Sequence, residues 1–115
     1  MGRRNRQREK LAPPASAYRD AEGNVLTLRG SLSPATRREY RAVVAGGLER
    51  EDAWQRGVEF LFERLAVSWE IAGVATTRQK ELLARYRVAS EAERRFIRET
   101  LREHVAEHFP ELHAP

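Results

Sequence analysis

The sequence predicts a mainly α-helical fold: a four-helix orthogonal bundle around a central apolar helix, preceded by one small β-hairpin and a basic N-terminal arm. Three observations predict it. Helix start and stop signals recur along the chain after Ser31, one long apolar segment lies between residues 51 and 73, and a single turn cluster separates two short segments near the start. The length of 115 residues is that of one domain, which we place at residues 18–115.

Residues 1–17 are predicted to form an extended or disordered arm, because they lack hydrophobic periodicity and contain Pro13-Pro14. Against the single acid Glu9, the arm carries these basic residues: Arg3, Arg4, Arg6, Arg8 and Lys10. The rest of the chain holds equal numbers of basic and acidic side chains, so the net charge of +4 belongs to the arm. Such an arm can neutralise the phosphates of a nucleic acid, contact an acidic protein surface or remain a solvated tail.

Residues 18–30 predict the β-hairpin. The segment D-A-E-G-N is typical of a turn, and Gly23 and Asn24 both tolerate a positive φ. Leu26 and Leu28 then alternate with other residues at the spacing of a strand. An isolated hairpin is not stable, so this one must pack on the helices or on a second subunit, and a homo-oligomer through its edge is one expectation.

The four predicted helices cover residues 34–45, 51–72, 77–88 and 91–109. Capping signals precede three of them: Ser33 before Pro34, and the capping boxes Thr76 with Gln79 and Ser90 with Glu93. The second helix carries one apolar stripe at intervals of three and four residues: Trp54, Val58, Leu61, Leu65, Trp69 and Ala72. A second apolar set lines another side: Phe60, Val67, Ile71 and Val74. Because a helix that is apolar on several sides packs on several sides, we expect the other helices to surround it.

Several classes of function lack their sequence signatures. The chain has no cysteine, no P-loop, no dinucleotide-binding glycine motif and no G-x-S-x-G elbow. No apolar run of a signal peptide follows the basic start, and no run approaches the about 20 residues of a membrane span. We therefore expect a non-enzymatic cytoplasmic protein with no cofactor and no membrane partner.

The segment His104-Val105-Ala106-Glu107-His108 matches H-x-x-E-H, in which two histidines on one helix face hold zinc. Only seven residues follow His108, so a third ligand from Glu111 or His113 would require a tight turn. His104 and His108 are thus weak metal candidates, and we predict no metal site. The alternative is a histidine-rich helix C-terminus, which the helix dipole favours.

Two sets of binding residues are predicted. Arg94, Arg98 and Arg102 repeat every four residues on the fourth helix and, with the basic arm, could follow the phosphates of DNA or RNA. An acidic stripe beside them opposes that interpretation. A partner protein is the other expectation, and its candidate exposed contacts are Leu26, Leu28, Trp54 and Phe62.

The order of features over residues 24–109 is a strand with an arginine (GNVLTLRG), the segment SLSPATRREY, a glycine break, a tryptophan-bearing helix (FERLAVSWEIAG) and a final helix with E-R-R-F-I. This order resembles the small tail assembly chaperones of phages and prophages in actinobacteria. The resemblance implies a non-enzymatic protein that binds the tape measure protein while the tail tube polymerises, and it carries over no site residue. We therefore expect a helical interaction protein of this kind. The basic arm departs from the pattern, and the alternative is a small nucleic-acid-binding or virion-associated protein that uses the arm.

Overall fold

A computed structural model describes residues 15–46 and 49–115 of the chain. These residues form an α+β domain with four helices and a four-stranded antiparallel sheet. Helices hold 55% of them and strands 17%, so the predicted mainly α-helical bundle with a single hairpin is wrong. Most of the predicted arm, including all its basic residues, lies outside the described residues.

In chain order the elements are β1 (Ser16–Arg19), β2 (Val25–Leu28), α1 (Pro34–Val44), α2 (Arg50–Leu65), β3 (Ala66–Ile71), β4 (Val74–Thr76), α3 (Gln79–Arg87) and α4 (Glu91–His108). The sheet order is β1-β2-β3-β4, and each neighbouring pair is antiparallel. Two hairpins therefore lie side by side and are joined where β2 pairs with β3, with Leu26 opposite Trp69.

The predicted second helix is wrong beyond Leu65. α2 ends there, and β3 follows without an intervening loop. Ala72 has a φ of 52° and Gly73 a φ of 81°, so two consecutive left-handed residues reverse the chain into β4. Two positive φ angles at the centre of a two-residue loop are the signature of a tight β-hairpin turn.

Residues 66–76 adopt strands because their pattern also fits a strand, and β2 supplies a partner. Trp69 and Ala72 continue the helical stripe, but Val67, Ile71 and Val74 are β-branched and favour extended backbone. An unpaired edge of β2 would leave backbone donors and acceptors without partners. Pairing with β3 satisfies them, so this long-range contact overrides the helical period.

The N-terminal hairpin is confirmed, with Tyr18 opposite Leu26 and Gly23 at a φ of 84°. β1 begins at Ser16, two residues inside the predicted arm. The predicted homo-oligomer would pair through an edge of this hairpin. β3 of the same chain occupies the β2 edge, so among the described residues the hairpin edge left for a second copy is that of β1.

The helix ends follow local capping chemistry. The Ser33 side chain accepts a hydrogen bond from the Thr36 backbone N–H, and Ser90 and Glu93 form a complete capping box, so both predictions are confirmed. The predicted box of Thr76 with Gln79 is wrong. Thr76 ends β4, and α3 begins at Gln79 without a side-chain cap.

The helices pack on one face of the sheet. That face and the helices share one core, which includes Leu26, Leu28 and Trp69 from the strands, Leu61, Phe62 and Leu65 from α2, and Ile97, Leu101 and Val105 from α4. Each fully buried large side chain contributes about 1.5–3 kcal/mol. α2 contacts all three other helices and β3, so the central position predicted for it holds over Arg50–Leu65.

Candidate functional site

Trp54 and Arg98 come from separate segments of the chain and lie against each other. Trp54 is in the second turn of α2, Arg98 is in α4, and the Arg98 guanidinium carbon is 5.3 Å from the centre of the Trp54 ring. One turn earlier on α4, the guanidinium carbon of Arg94 lies 5.6 Å from the centre of the Tyr86 ring of α3. With Arg87, these residues form what we call the tryptophan–arginine site.

Helix geometry positions the two arginines. Arg94 and Arg98 are four residues apart, so they lie above one another on one side of α4. The neighbouring positions Ile97 and Leu101 are buried and hold α4 against the core. The arginines therefore lie at the margin of the buried face, where their long apolar stems can cover the aromatic rings of α2 and α3.

Among the described residues, Arg94 and Arg98 differ from the other arginines that lie over aromatic rings, because no carboxylate pairs with them. The others are Arg37 over Phe109, Arg64 over Phe60 and Arg85 over Trp69. Each of those also pairs with a glutamate: Arg37 with Glu111, Arg64 with Glu39 and Arg85 with Glu93. Within residues 15–46 and 49–115, no carboxylate lies within 4.0 Å of the Arg94 or Arg98 guanidinium.

A small cavity lies between these side chains. Its volume is about 100 Å³, and Arg87, Arg94 and Arg98 line it together with Gln55 and Glu59. Glu59 pairs with Arg87, and Arg94 donates from Nη2 to the main-chain oxygen of Arg87 at 2.7 Å. The Arg94 Nε is buried without a hydrogen-bond partner among the described residues. The cavity thus holds three guanidinium groups and one carboxylate.

Trp54 extends the site to an open surface. It is half-buried, and it borders a shallow, mainly apolar depression of about 440 Å³ with Arg50 and Glu51. The chain's other tryptophan, Trp69, is only 1% exposed. Trp54 is therefore the tryptophan that solvent or a ligand can reach.

Three of the four predicted partner contacts belong to the core instead. Leu26, Leu28 and Phe62 are each 0% exposed, so the expectation that they are exposed contacts is wrong. The leucines face the helices from β2, and the Phe62 ring stacks on Tyr86 with 5.0 Å between ring centres. Trp54 is the predicted contact that remains accessible.

The predicted nucleic-acid residues are described in part. Arg102 lies one turn beyond Arg98, and its Nε donates to the main-chain oxygen of Pro115 at 3.2 Å. The basic residues of the arm, Arg3, Arg4, Arg6, Arg8 and Lys10, lie outside the described residues. The acidic stripe predicted beside the arginines comprised Glu99, Glu103, Glu107 and Glu111. The first three are exposed on α4, whereas Glu111 lies beyond the end of α4 and pairs with Arg37.

His104 is engaged in the fold rather than available to a metal. Its Nε2 is 2.8 Å from the main-chain oxygen of Arg29, and its Nδ1 is 2.7 Å from the Tyr18 hydroxyl. A carbonyl oxygen only accepts, so Nε2 carries a proton. Burial lowers the pKa of His104 and favours the neutral ring, in which Nδ1 accepts from the Tyr18 hydroxyl. The His108 ring centre lies 4.4 Å from that of His104. The described residues contain no group of three or more side chains arranged to hold a metal ion.

Sequence patterns did not single out Tyr86, Arg87 and Glu59 as members of the site. Tyr86 contacts the core, and one face of its ring supports Arg94. Burial raises the pKa of the Tyr86 hydroxyl, so the phenol is neutral at pH 7. The contact depends on how α3 crosses α4, which no spacing within one segment reveals.

In the part of the chain that the structure describes, none of the helices combines the length and the apolar composition needed to cross a membrane. Comparisons of the chain with protein-family models, with curated proteins and with solved structures found no match.

Proposed function

We propose that this chain is a non-enzymatic protein that binds a partner protein through the tryptophan–arginine site. The observation that carries the proposal is the half-buried Trp54 beside two arginines, Arg94 and Arg98, with which no carboxylate of the described residues forms an ion pair. Tryptophan and arginine are enriched at the centres of protein interfaces, because they combine a large contact area with directional polar recognition.

The chemistry of the site favours binding over catalysis. A general acid or base is most efficient when its pKa lies near the working pH. The Glu59 carboxylate is paired with Arg87, a guanidinium remains protonated near pH 7, and burial raises the pKa of Tyr86 further from that range. These groups can position and recognise a ligand, and a cytoplasmic location is part of the same proposal.

A photo-crosslinking experiment tests this function. A photoreactive phenylalanine derivative replaces Arg50, which borders the Trp54 depression, in cells that express the full chain. We expect a discrete cross-linked partner on irradiation. The matched control carries the same group at Val74 of β4, which is 70% exposed and outside the site, and should give no such product. Equal cross-linking from both positions would contradict the proposal.

The partner, once purified, allows a quantitative test. We expect Trp54→Ala to weaken its affinity by about tenfold or more, because truncating an interface tryptophan typically costs over 1–2 kcal/mol. Val74→Ala should change the affinity by less than about twofold. Isothermal titration calorimetry measures both, and unchanged binding by the Trp54 variant would contradict the proposal.

The resemblance to tail assembly chaperones adds a more specific prediction, that the partner is a helical segment of a tape measure protein. The identity of the cross-linked protein tests it directly. If the partner is a globular protein from another process, the binding function stands and the prediction from the resemblance is wrong.

A second candidate function is nucleic-acid binding, favoured by the alignment of Arg94, Arg98 and Arg102 along one side of α4 and by the basic composition of residues 1–10. Phosphate contacts predict an affinity that falls steeply between about 50 and 200 mM salt. Deleting residues 1–10 should then abolish retention on DNA and RNA columns. Retention that is unchanged by the deletion would remove this candidate.

A further inference from the structure

We infer that the tryptophan–arginine site binds the carboxylate of an acidic side chain in a partner peptide, seated between Arg94 and Arg98. The inference rests on the proposed function, since it names the chemistry of the residue that the partner contributes. Its support comes from the charge, the size and the surroundings of the cavity.

The charge of the cavity favours a single anion. Among the residues that the structure describes, the other three arginines that lie over aromatic rings, Arg37, Arg64 and Arg85, each have a glutamate of this chain beside them. A guanidinium that is partly removed from water is stabilised by such a partner, because the pair offsets part of the cost of desolvation. A carboxylate supplied by another molecule would complete the same arrangement at Arg94 and Arg98.

The size of the cavity suits one carboxylate. Its volume of about 100 Å³ exceeds the roughly 10–15 Å³ that one water molecule requires on the same measure, so a group larger than a water molecule can enter. The planar guanidinium group presents its donors in a fork that matches the two oxygens of a carboxylate. The cavity therefore fits the end of a glutamate or aspartate side chain.

The surroundings favour a peptide over a nucleic acid. Glu59 lines the cavity, and Glu51 borders the depression beside Trp54. A nucleic acid carries a charge on every phosphate, so a strand crossing this surface would meet both carboxylates. A peptide can place one carboxylate in the cavity and an apolar side chain on Trp54, which lines both spaces.

Nuclear magnetic resonance of the full chain tests the inference. The probe is a short synthetic peptide of alternating glutamate and leucine, and its control has glutamine in place of glutamate. We expect the glutamate peptide to shift the Nε–H signals of Arg94 and Arg98 and the indole N–H signal of Trp54 saturably. The glutamine peptide should bind about tenfold more weakly, as expected for loss of a charge-assisted hydrogen bond.

Two variants that remove the same charge locate the site. Arg98→Gln removes a guanidinium from the cavity, whereas Arg95→Gln removes one from an exposed position on the same helix outside it. We expect Arg98→Gln to weaken the affinity for the glutamate peptide by about tenfold. Arg95→Gln should weaken it by less than about twofold, since exposed charges contribute little to binding. Unchanged backbone spectra of both variants show that the fold is retained.

Several results would overturn the inference. They are unshifted Arg94 and Arg98 signals, equal binding of both peptides, equal loss in both variants, or tighter binding of an oligothymidine than of the glutamate peptide at these residues. The proposed function fails separately. If a partner is cross-linked but the peptide shifts no signal, the proposed function stands and the carboxylate site is wrong. If the peptide shifts the signals but no partner is cross-linked, the carboxylate site stands and the proposed function is wrong.

Discussion

His104 joins the first hairpin to the last helix through its two ring nitrogens. The Tyr18 hydroxyl of β1 donates to Nδ1, and Nε2 donates to the main-chain oxygen of Arg29, just after β2. The side chain is 0% exposed, so these bonds form away from water. Both bonds fit the neutral imidazole, because a second ring proton would turn the acceptor nitrogen into a donor.

Stability is therefore expected to depend on pH through this residue. Burial lowers the pKa of His104 below its ordinary value of 6.5, against an opposing effect of the hydrogen bond to Arg29. Between 6.5 and the lowered native value, the unfolded chain binds more protons than the native one. The free energy of unfolding should then fall as the pH drops through this window, and urea denaturation at about pH 5 to 7.5 measures it.

His104→Gln should flatten that pH dependence, because the substituted residue does not titrate. The matched control is His113→Gln, which changes an exposed histidine and should leave the slope as it is in the wild type. A slope that survives in the His104 variant would contradict the assignment.

At the scale of single residues, the sequence predicted which side chains were candidates but not which were exposed. Trp54, Arg94 and Arg98 were singled out by type and spacing, and the structure brings them together. Leu26 and Leu28 were expected to be exposed contacts for a partner, but both face the helices from β2 and are buried in the shared core. Alternation within one strand indicates which residues share a face, but not which element covers that face.

At the scale of elements, the chain changes at Leu65 from a helix that its local sequence pattern predicts to a strand that forms because it pairs with β2. The capped starts of α1 and α4 were predictable, because a cap involves residues three apart. The change from α2 to β3 was not predictable, because it depends on backbone hydrogen bonds with β2, which is distant in the sequence. The Asn24 side chain adds such a bond, accepting from the Ala72 N–H at 3.0 Å.

One substitution distinguishes the hairpin from a continuous helix by whether it raises or lowers the free energy of unfolding. Ala72→Asn should stabilise the protein by roughly 0.5–1 kcal/mol, because asparagine tolerates the left-handed backbone and favours a tight hairpin turn. In a helix the same change would destabilise by a few tenths to about 0.7 kcal/mol. Thermal and urea unfolding measure the difference, and Ala84→Asn, in the exposed face of α3, is the helical control expected to destabilise. A destabilising Ala72→Asn would contradict the turn.

At the scale of the whole molecule, the sheet and the helices cannot be separated into independent units. α2 continues directly into β3, and β3 pairs with strands on both sides. The buried residues of strands and helices form one cluster. A domain with one shared core is expected to unfold in a single cooperative transition.

Two probes test this cooperativity. Far-ultraviolet circular dichroism follows the helices, and the fluorescence of Trp69 in the Trp54→Phe variant follows the centre of the sheet. We expect the two urea transitions to coincide, with one midpoint. An earlier fluorescence transition would show that the sheet opens while the helices remain, which contradicts a single core.

Because β2 pairs with β3, the order in which the ribosome makes these strands affects how the nascent chain folds. β2 ends at Leu28, and its partner begins only at Ala66, after both α1 and α2 have been made. Helices form from local contacts and can fold as they leave the ribosome, whereas distant strands must wait for each other. A nascent chain stalled before Ala66 therefore presents a bare strand edge and two uncovered leucines, a combination that promotes aggregation. Once the chain has left the ribosome as far as Thr76, all four strands of the sheet are present and can pair with one another.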